Sequence, residues 1–178
     1  GVNEQQRQLD YIEKAKGYVE ALSQQLGRKA TCCVTTFGCQ MNEKQSEVVA
    51  GIMDEIGFKR QDTENADVVI YNTCTVRENA NLKVYGRLGK LHSLKKSNPD
   101  MKIALFGCMM QEKQVVDKIQ KDYPFVNLVF GTHNIFKYAE LFYEMLQSEQ
   151  QIVDIWEGTD QIVEDLPTER NYTFKSGV

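Results

Sequence analysis

Two uninterrupted apolar runs constrain the fold of this chain more than any other feature of its sequence. Residues 67–71 read DVVIY and residues 102–106 read KIALF, and neither run alternates between apolar and polar positions. Such runs are typical of strands that are buried on both faces, as in a parallel sheet. Parallel neighbours need long crossover connections, which are usually helices. The two runs therefore predict a sheet covered by helices.

The rest of the chain alternates between strand and helix patterns. Further strands are predicted at residues 30–36, 125–130 and, as an edge strand, 151–156. Crossover helices are predicted at residues 43–56, 77–96, 112–121 and 134–146. This order predicts a doubly wound, Rossmann- or flavodoxin-like α/β fold with four or five mainly parallel strands flanked by helices. An amphipathic helix at residues 4–26 precedes these elements, and the pattern leaves open whether it packs on the core or is an appendage.

Composition and charge divide the chain into three segments. Hydrophobic residues make up 42% and charged residues 26%, which is ordinary for a globular domain. We expect a helical extension at residues 1–27, the α/β domain at 28–148 and an acidic linker at 149–178. The net charge of −4 hides a basic region between residues 77 and 102, with seven basic and two acidic residues. No apolar run approaches 18 residues, so we expect no membrane partner, and no secretory signal is seen. Five cysteines without a C-x-x-C pair do not match a disulfide-stapled secreted domain, so we expect a cytoplasmic protein with reduced thiols.

Three of the five cysteines follow predicted strands. Residues 37–45 read FGCQMNEKQ and residues 106–114 read FGCMMQEKQ, so Cys39 and Cys108 lie in nearly identical segments. Cys74 follows the strand at 67–71, and the three cysteines are 35 and 34 residues apart. The carboxyl ends of parallel strands meet at one edge of the sheet, where such folds bind ligands. The three thiols are therefore predicted to converge.

Several interpretations of these thiols are open at this point. Free cysteine often fills a core, and we expect this of Cys32 and Cys33, which lie inside a strand. A structural zinc needs four ligands, and no fourth is obviously placed. A four-iron cluster takes one thiolate for each iron, so three cysteines leave one iron open. A thiol redox protein is disfavoured because the chain has no C-x-x-C pair.

Three motifs together, FGCQMN, YNTCTVRENA and FGCMMQ, resemble the amino-terminal domain of the tRNA methylthiotransferases, and of their MiaB-type branch in particular. The resemblance covers about residues 28–146. It implies that Cys39, Cys74 and Cys108 hold an auxiliary [4Fe-4S] cluster that supplies or presents sulfur. The implied reaction converts N6-isopentenyladenosine beside the tRNA anticodon to its 2-methylthio derivative.

The resemblance also implies parts of the enzyme that these residues do not contain. The family binds S-adenosylmethionine and a second [4Fe-4S] cluster in a radical-SAM domain, through a C-x-x-x-C-x-x-C motif that is absent here. We therefore expect residues 149–178 to lead to that domain and this fragment to be inactive alone. The expected partners are the radical-SAM and RNA-binding domains of the same chain and the anticodon region of tRNA.

Polar residues beside the cysteines are candidates for contact with the cluster or the substrate. They are Asn42, Asn72, Thr73 and Arg77. The alternative for the asparagines is turn and helix-cap chemistry. A second candidate set, Lys83, Arg87 and Lys90, forms a stripe on one predicted helix. It is predicted to contact tRNA phosphates, with a solvated helix face as the alternative. The competing function is a non-catalytic flavodoxin-like module with structural zinc or plain buried thiols.

Overall fold

The computed structural model describes residues 2–38, 42–73 and 78–155, which form a six-stranded sheet with helices on both faces. The strands are β1 (Thr31–Thr36), β2 (Lys59–Arg60), β3 (Val68–Thr73), β4 (Lys102–Gly107), β5 (Leu128–Phe130) and β6 (Ile152–Asp154). The helices are α1 (Val2–Leu26), α2 (Glu43–Ile56), α3 (Glu78–Ser97), α4 (Lys113–Asp122) and α5 (Tyr138–Gln147). Short 3-10 segments follow β4 at Cys108–Gln111 and β5 at Thr132–Lys137.

All neighbouring strands are parallel, in the order β2-β1-β3-β4-β5-β6. This confirms the predicted α/β fold class, with six strands rather than four or five. The additional strand, β2, has only two residues and both are exposed, so no hydrophobic pattern in the sequence predicts it. The strand predicted at 125–130 begins only at Leu128, because Val126 donates its backbone N–H to Tyr123 in a preceding turn.

The helix at the amino terminus packs on the core. Ile12, Ala15 and Val19 are buried on its inner face, among side chains that line one side of the sheet. Arg7 of α1 forms an ion pair with Glu140 of α5. Periodicity alone left the position of α1 open because an amphipathic helix needs an apolar surface but does not specify which one.

The two faces of the sheet carry helices of opposite charge. Helices α1, α2 and α5 cover one face, and α3 and α4 cover the other. The first three helices contain ten acidic and four basic residues, whereas α3 and α4 contain eight basic and three acidic residues. The small net charge of the chain therefore conceals two oppositely charged faces. Among the helices described, none is both long enough and apolar enough to cross a membrane.

The strand order reverses at β1. The chain passes from β1 to β2 on one side and then returns to β3 on the other. Connections on the two sides of such a reversal leave in opposite directions and open a crevice outside the carboxyl ends of the strands. The ends of β1 and β3 are thus the place where this topology favours a ligand.

Candidate functional site

Three neighbouring strands end together at the site edge, which we define as the carboxyl ends of β1, β3 and β4. Thr36 of β1 lies opposite Asn72, and Thr73 of β3 lies opposite Gly107 of β4. Strand neighbours are about 4.8 Å apart, so these three strand ends lie within about 10 Å of one another. The predicted cysteine ligands follow these strands in the sequence: Cys39 is three residues past β1, while Cys74 and Cys108 come directly after β3 and β4.

Cys108 is the member of this set that the structure describes. Its side chain is exposed and its thiol is free, at the first position of the 3-10 segment that follows β4. Cys39, Cys74 and Arg77 lie outside the described residues, so the predicted convergence of the three thiols stays a prediction. Among the described residues, which exclude Cys39 and Cys74, no three histidine, cysteine or acidic side chains lie close enough together to hold a metal ion.

Glycines with positive φ explain why the Phe-Gly-Cys segment occurs twice. Gly38 has φ 109° and Gly107 has φ 122°, in the region that residues with a side chain rarely adopt. At Gly107 a Cβ atom would lie 2.3 Å from the carbonyl oxygen of Thr73. Each glycine stands immediately before its cysteine, where the chain leaves the strand. The repeat therefore encodes a sharp exit from a buried strand at the site edge.

A buried amide pair joins the end of β3 to the start of α2 beneath this edge. Asn72 donates its side-chain amide to the backbone carbonyl of Asn42 at 2.7 Å and to the Ser46 hydroxyl at 2.9 Å. Asn42 in turn donates its amide to the Thr73 carbonyl at 2.9 Å. Asn42 is the N-cap residue of α2, but its side chain makes no capping hydrogen bond, and Asn72 lies inside β3. These amides therefore tie the end of β3 to the segment that opens α2, and helix capping does not describe them.

The Thr73 side chain links β3 to β4. Its hydroxyl donates to the carbonyl oxygen of Phe106 at 2.9 Å, and the residue is fully buried. Thr73 directly precedes Cys74 and Phe106 lies two residues before Cys108, so the bond fixes the starting points of two cysteine-bearing segments. Asn42, Asn72 and Thr73 thus act on the backbone around the site edge.

A second buried group, the Glu64 cluster, lies on the α3 side of the sheet and comprises Glu64, Tyr71, Arg87 and Phe37. The Glu64 carboxylate accepts a hydrogen bond of 2.6 Å from Tyr71 Oη and forms an ion pair with Arg87. The Arg87 guanidinium lies over the rings of Phe37 and Tyr71, at 5.6 and 5.9 Å from their centroids. Burial and the neighbouring carboxylate raise the pKa of Tyr71 well above its ordinary value. The cluster holds Phe37, two residues before Cys39.

The Glu64 cluster separates Arg87 from the two lysines of the predicted tRNA stripe. Arg87 is half-buried in the Glu64 cluster, whereas Lys83 and Lys90 are exposed on α3. Lys95, further along α3, donates its ammonium to the Phe125 carbonyl at 2.7 Å and to Asn127 Oδ1 at 2.8 Å. The exposed cations of this helix are therefore its lysines at 83 and 90, together with Lys96.

The two adjacent cysteines of β1 lie in the core, one on each face of the sheet. Cys32 packs with the α1, α2 and α5 side and Cys33 with the α3 and α4 side. Burial raises the pKa of Cys32 to about 12 and also raises that of Cys33. Both thiols therefore stay protonated at neutral pH and serve as small apolar side chains.

Sequence reasoning missed Thr132, which lies at the end of the next strand. Phe130 ends β5 and is followed by Gly131 and Thr132, so the chain reads Phe-Gly-Thr where β4 reads Phe-Gly-Cys. The Thr132 hydroxyl lies 4.0 Å from Cys108 Sγ, at the outer limit of a hydrogen bond to sulfur. The third Phe-Gly pair in the sequence could have indicated this position. Threonine is not a usual metal ligand, so Thr132 was not among the predicted site residues.

Comparisons with known proteins agree with the motifs. A family model described as "Uncharacterized protein family UPF0004" matches residues 31–131. Curated relatives named tRNA-2-methylthio-N(6)-dimethylallyladenosine synthase include one from Lachnoclostridium phytofermentans, 59% identical over 163 residues, which are 92% of this chain and 36% of the relative. Those from Acetivibrio thermocellus and Clostridioides difficile are 47% and 44% identical, over 98% and 97% of this chain and 37% and 36% of their own lengths.

The chain thus spans little more than a third of the length of these relatives. The matches confirm the resemblance to the amino-terminal domain of MiaB-type tRNA methylthiotransferases that three short motifs had indicated. The residues matched by the family model run from the start of β1 to just past the end of β5, so the match covers the first five strands of the sheet. The chain therefore belongs to the UPF0004 family.

Proposed function

We propose that this chain is the cluster-holding amino-terminal domain of a radical-SAM tRNA methylthiotransferase, which converts N6-isopentenyladenosine beside the anticodon to its 2-methylthio derivative. The proposal rests mainly on one observation. Cys108 presents an exposed thiol directly after β4, and the next two strands on one side of β4, first β3 and then β1, also lead into cysteines. The names of the relatives supply the reaction class.

The donor set fits a four-iron cluster better than it fits zinc. Three thiols on three adjacent strand ends match a cluster that takes one thiolate for each iron and leaves one iron open. A tetrahedral zinc site needs a fourth ligand. Of the candidates Cys32, Cys33, His92 and His133, the two cysteines are buried in the core and are removed by that burial. Cys39, Cys74 and Cys108 would hold the group, which when bound supplies or presents the sulfur.

The surrounding residues suit an anionic group. Helices α2 and α3 both begin at the site edge, at Glu43 and Glu78, so the positive ends of their dipoles face it. The buried amides of Asn42 and Asn72 hold the end of β3 against the start of α2. These residues preorganise the backbone at the end of β3, and the Cys108 sulfur is open to solvent or to a substrate.

Iron uptake by single cysteine variants tests this assignment. We expect anaerobic reconstitution with iron and sulfide to give about four irons per chain. Cys39→Ala, Cys74→Ala and Cys108→Ala should each lose most of that iron together with the brown charge-transfer absorption. The Cys33→Ala variant is the matched control and should retain both, because its thiol is buried in the core.

Two results would reject the assignment. One is an unmodified chain that binds zinc in place of iron, which would favour the flavodoxin-like module with a structural metal. The other is iron uptake that is the same in all four variants, since the iron would then be held elsewhere.

The reaction requires parts that lie outside this chain. The radical-SAM domain that cleaves S-adenosylmethionine, its own [4Fe-4S] cluster and an RNA-binding domain would occupy the remaining two thirds of the enzyme. The fragment would then be inactive alone, and residues 149–178 would lead to the radical-SAM domain. A tRNA-modifying enzyme acts where tRNA is used, so the proposed location is the cytoplasm.

The α3 and α4 face is the proposed tRNA-facing surface of the domain. Its helices carry a net charge of +5, in contrast to −6 for the helices of the opposite face. Lys83 and Lys90 are exposed and lie two helical turns apart on α3, about 10 Å along its axis. Arg87 lies between them but is held by Glu64, so the lysines are the proposed phosphate contacts.

Charge reversal on this face should weaken tRNA binding. The double variant Lys83→Glu/Lys90→Glu is expected to bind tRNA about tenfold less tightly at low salt, and its log–log salt dependence should be shallower by about two. Fluorescence anisotropy with labelled tRNA over a salt series measures both quantities. The control, Lys14→Glu/Lys16→Glu on the acidic face, makes the same change in net charge. Equal losses in the two variants would mean that net charge, and not this face, governs binding.

A further inference from the structure

We propose that Thr132 is a positioning residue for the Cys108 sulfur: its hydroxyl donates a hydrogen bond to that sulfur and stabilises negative charge there. The inference rests on the proposed function for the role of Cys108 as a cluster ligand. The hydroxyl–sulfur contact itself does not depend on that function. Thr132 follows β5, which lies beside β4 on the side away from the other two cysteine-bearing strands.

The register of β4 and β5 places each of the two residues two positions beyond the same pair of strand residues. Phe106 pairs with Phe130, and their buried rings stack at 4.9 Å between centroids with 4° between planes. Each phenylalanine is followed by one glycine and then by the residue in question. Cys108 and Thr132 are therefore the first residues beyond two adjacent Phe-Gly strand ends.

The segment that carries Thr132 is held rigidly. Asn134 is buried and donates its amide to the backbone carbonyl of Asp154 at 2.8 Å and to its carboxylate at 2.9 Å. Lys137 forms an ion pair with the same carboxylate at 2.8 Å. Thr132 is half-buried, and its hydroxyl is 4.0 Å from Cys108 Sγ. A fixed donor thus stands beside the exposed thiol.

The chemistry of the two groups defines the effect. A threonine hydroxyl donates one hydrogen bond, and a sulfur that carries negative charge is the better acceptor, with a shorter contact. Donation stabilises the more negative form of a thiolate-ligated group, so it raises the reduction potential of an iron–sulfur cluster. Because Cys108 is exposed, water is the competing donor. Thr132 replaces a mobile donor with one of fixed direction.

Two substitutions at one position separate the hydroxyl from the shape of the side chain. Thr132→Val removes the donor with little change in volume, whereas Thr132→Ser keeps it. In the reconstituted 178-residue chain, we expect the cluster of the valine variant to have a more negative midpoint potential than that of the unmodified chain. Electron paramagnetic resonance of samples poised at a series of potentials measures this difference. The serine variant should return toward the unmodified value. Ser93→Ala, at an exposed hydroxyl on α3, is the control and should show no shift.

A second measurement on the cluster-free chain tests the contact by itself. A hydrogen bond to a sulfur atom alters its reactivity toward iodoacetamide, so we expect the alkylation rate of Cys108 in Thr132→Val to differ about threefold from that of the unmodified chain, with Thr132→Ser close to the unmodified rate. Peptide mapping by mass spectrometry resolves Cys108 from the other thiols. If the valine variant is unfolded by circular dichroism, Thr132→Ala replaces it in both measurements.

The outcomes distinguish the inference from the proposed function. If the unmodified chain takes up no iron, the proposed function fails, and the alkylation rates alone decide whether Thr132 acts on Cys108. If iron uptake is normal but the valine and serine variants share the unmodified midpoint potential and alkylation rate, the inference fails and the proposed function stands. A potential shift in valine that serine reverses supports both.

Discussion

Replacing Gly107 by alanine should strongly destabilise this domain. We expect Gly107→Ala to lower the free energy of unfolding by about 3 kcal/mol or more. The residue has φ 122° and ψ −176°, a combination that is essentially confined to glycine. An added Cβ would also lie 2.3 Å from the Thr73 carbonyl oxygen and 2.7 Å from its nitrogen, and both are backbone atoms of the adjacent strand. Urea denaturation followed by circular dichroism measures the loss.

The same substitution has the opposite expected sign elsewhere in the chain. Gly89 lies in the interior of α3, and a Cβ built there meets no atom within 4 Å. Gly89→Ala should therefore stabilise the chain by about 0.5–1 kcal/mol through helix propensity. If both alanine variants unfold at the same urea concentration as the unmodified chain, the backbone at Gly107 tolerates a side chain and the predicted loss is wrong. Iron uptake by Gly107→Ala should fall as well, since its methyl group displaces the backbone beside Cys108.

Removing the Arg87 side chain should produce the second large effect. Glu64 is 8% exposed and accepts hydrogen bonds from Tyr71 and Arg87. In Arg87→Met the carboxylate stays buried with Tyr71 alone, and we expect a loss of about 2–4 kcal/mol in the free energy of unfolding. The guanidinium is 43% exposed and so less strongly desolvated than its partner, which keeps the expected loss below that of a fully buried ion pair. Urea denaturation provides this measurement too.

A double-mutant cycle identifies the origin of that loss. Glu64→Leu/Arg87→Met removes the buried charge together with its partner, so it should be more stable than the sum of the two single losses predicts. Arg87→Lys should recover only part of the stability, because an ammonium lacks the planar fork of the guanidinium. If Arg87→Met were fully stable and weakened only the binding of tRNA, Arg87 would belong to the tRNA stripe and not to the Glu64 cluster.

Strands whose two faces are both buried could be predicted from the sequence. The runs at β3 and β4 are apolar throughout because both faces of these strands are covered, and the structure places them in the middle of the sheet. The edge strand β2 was missed because its two residues are exposed and pair with β1 alone. Periodicity predicts α1 as a helix but leaves open its packing partner, which depends on contacts with α5 more than 100 residues away.

The candidate site was predictable only in part, for a related reason. Strand spacing locates Cys39, Cys74 and Cys108 past three strands because covalent geometry ties each residue to the strand before it. Helical periodicity placed Arg87 on a polar stripe, but it has no information about Glu64, which lies in a patternless loop between β2 and β3. Thr132 was missed because its relation to Cys108 depends on the register of two strands.

The opposite charges of the two sheet faces make the domain a permanent electric dipole. The positive pole lies on the α3 and α4 layer and the negative pole on the layer of α1, α2 and α5, with the sheet between them. In the field of any polyanion such a body experiences a torque, which turns its positive layer toward the charge before contact is made. The torque acts over roughly one Debye length, about 8 Å at physiological ionic strength. A chain whose net charge of −4 predicts repulsion can therefore approach an anion in one preferred orientation.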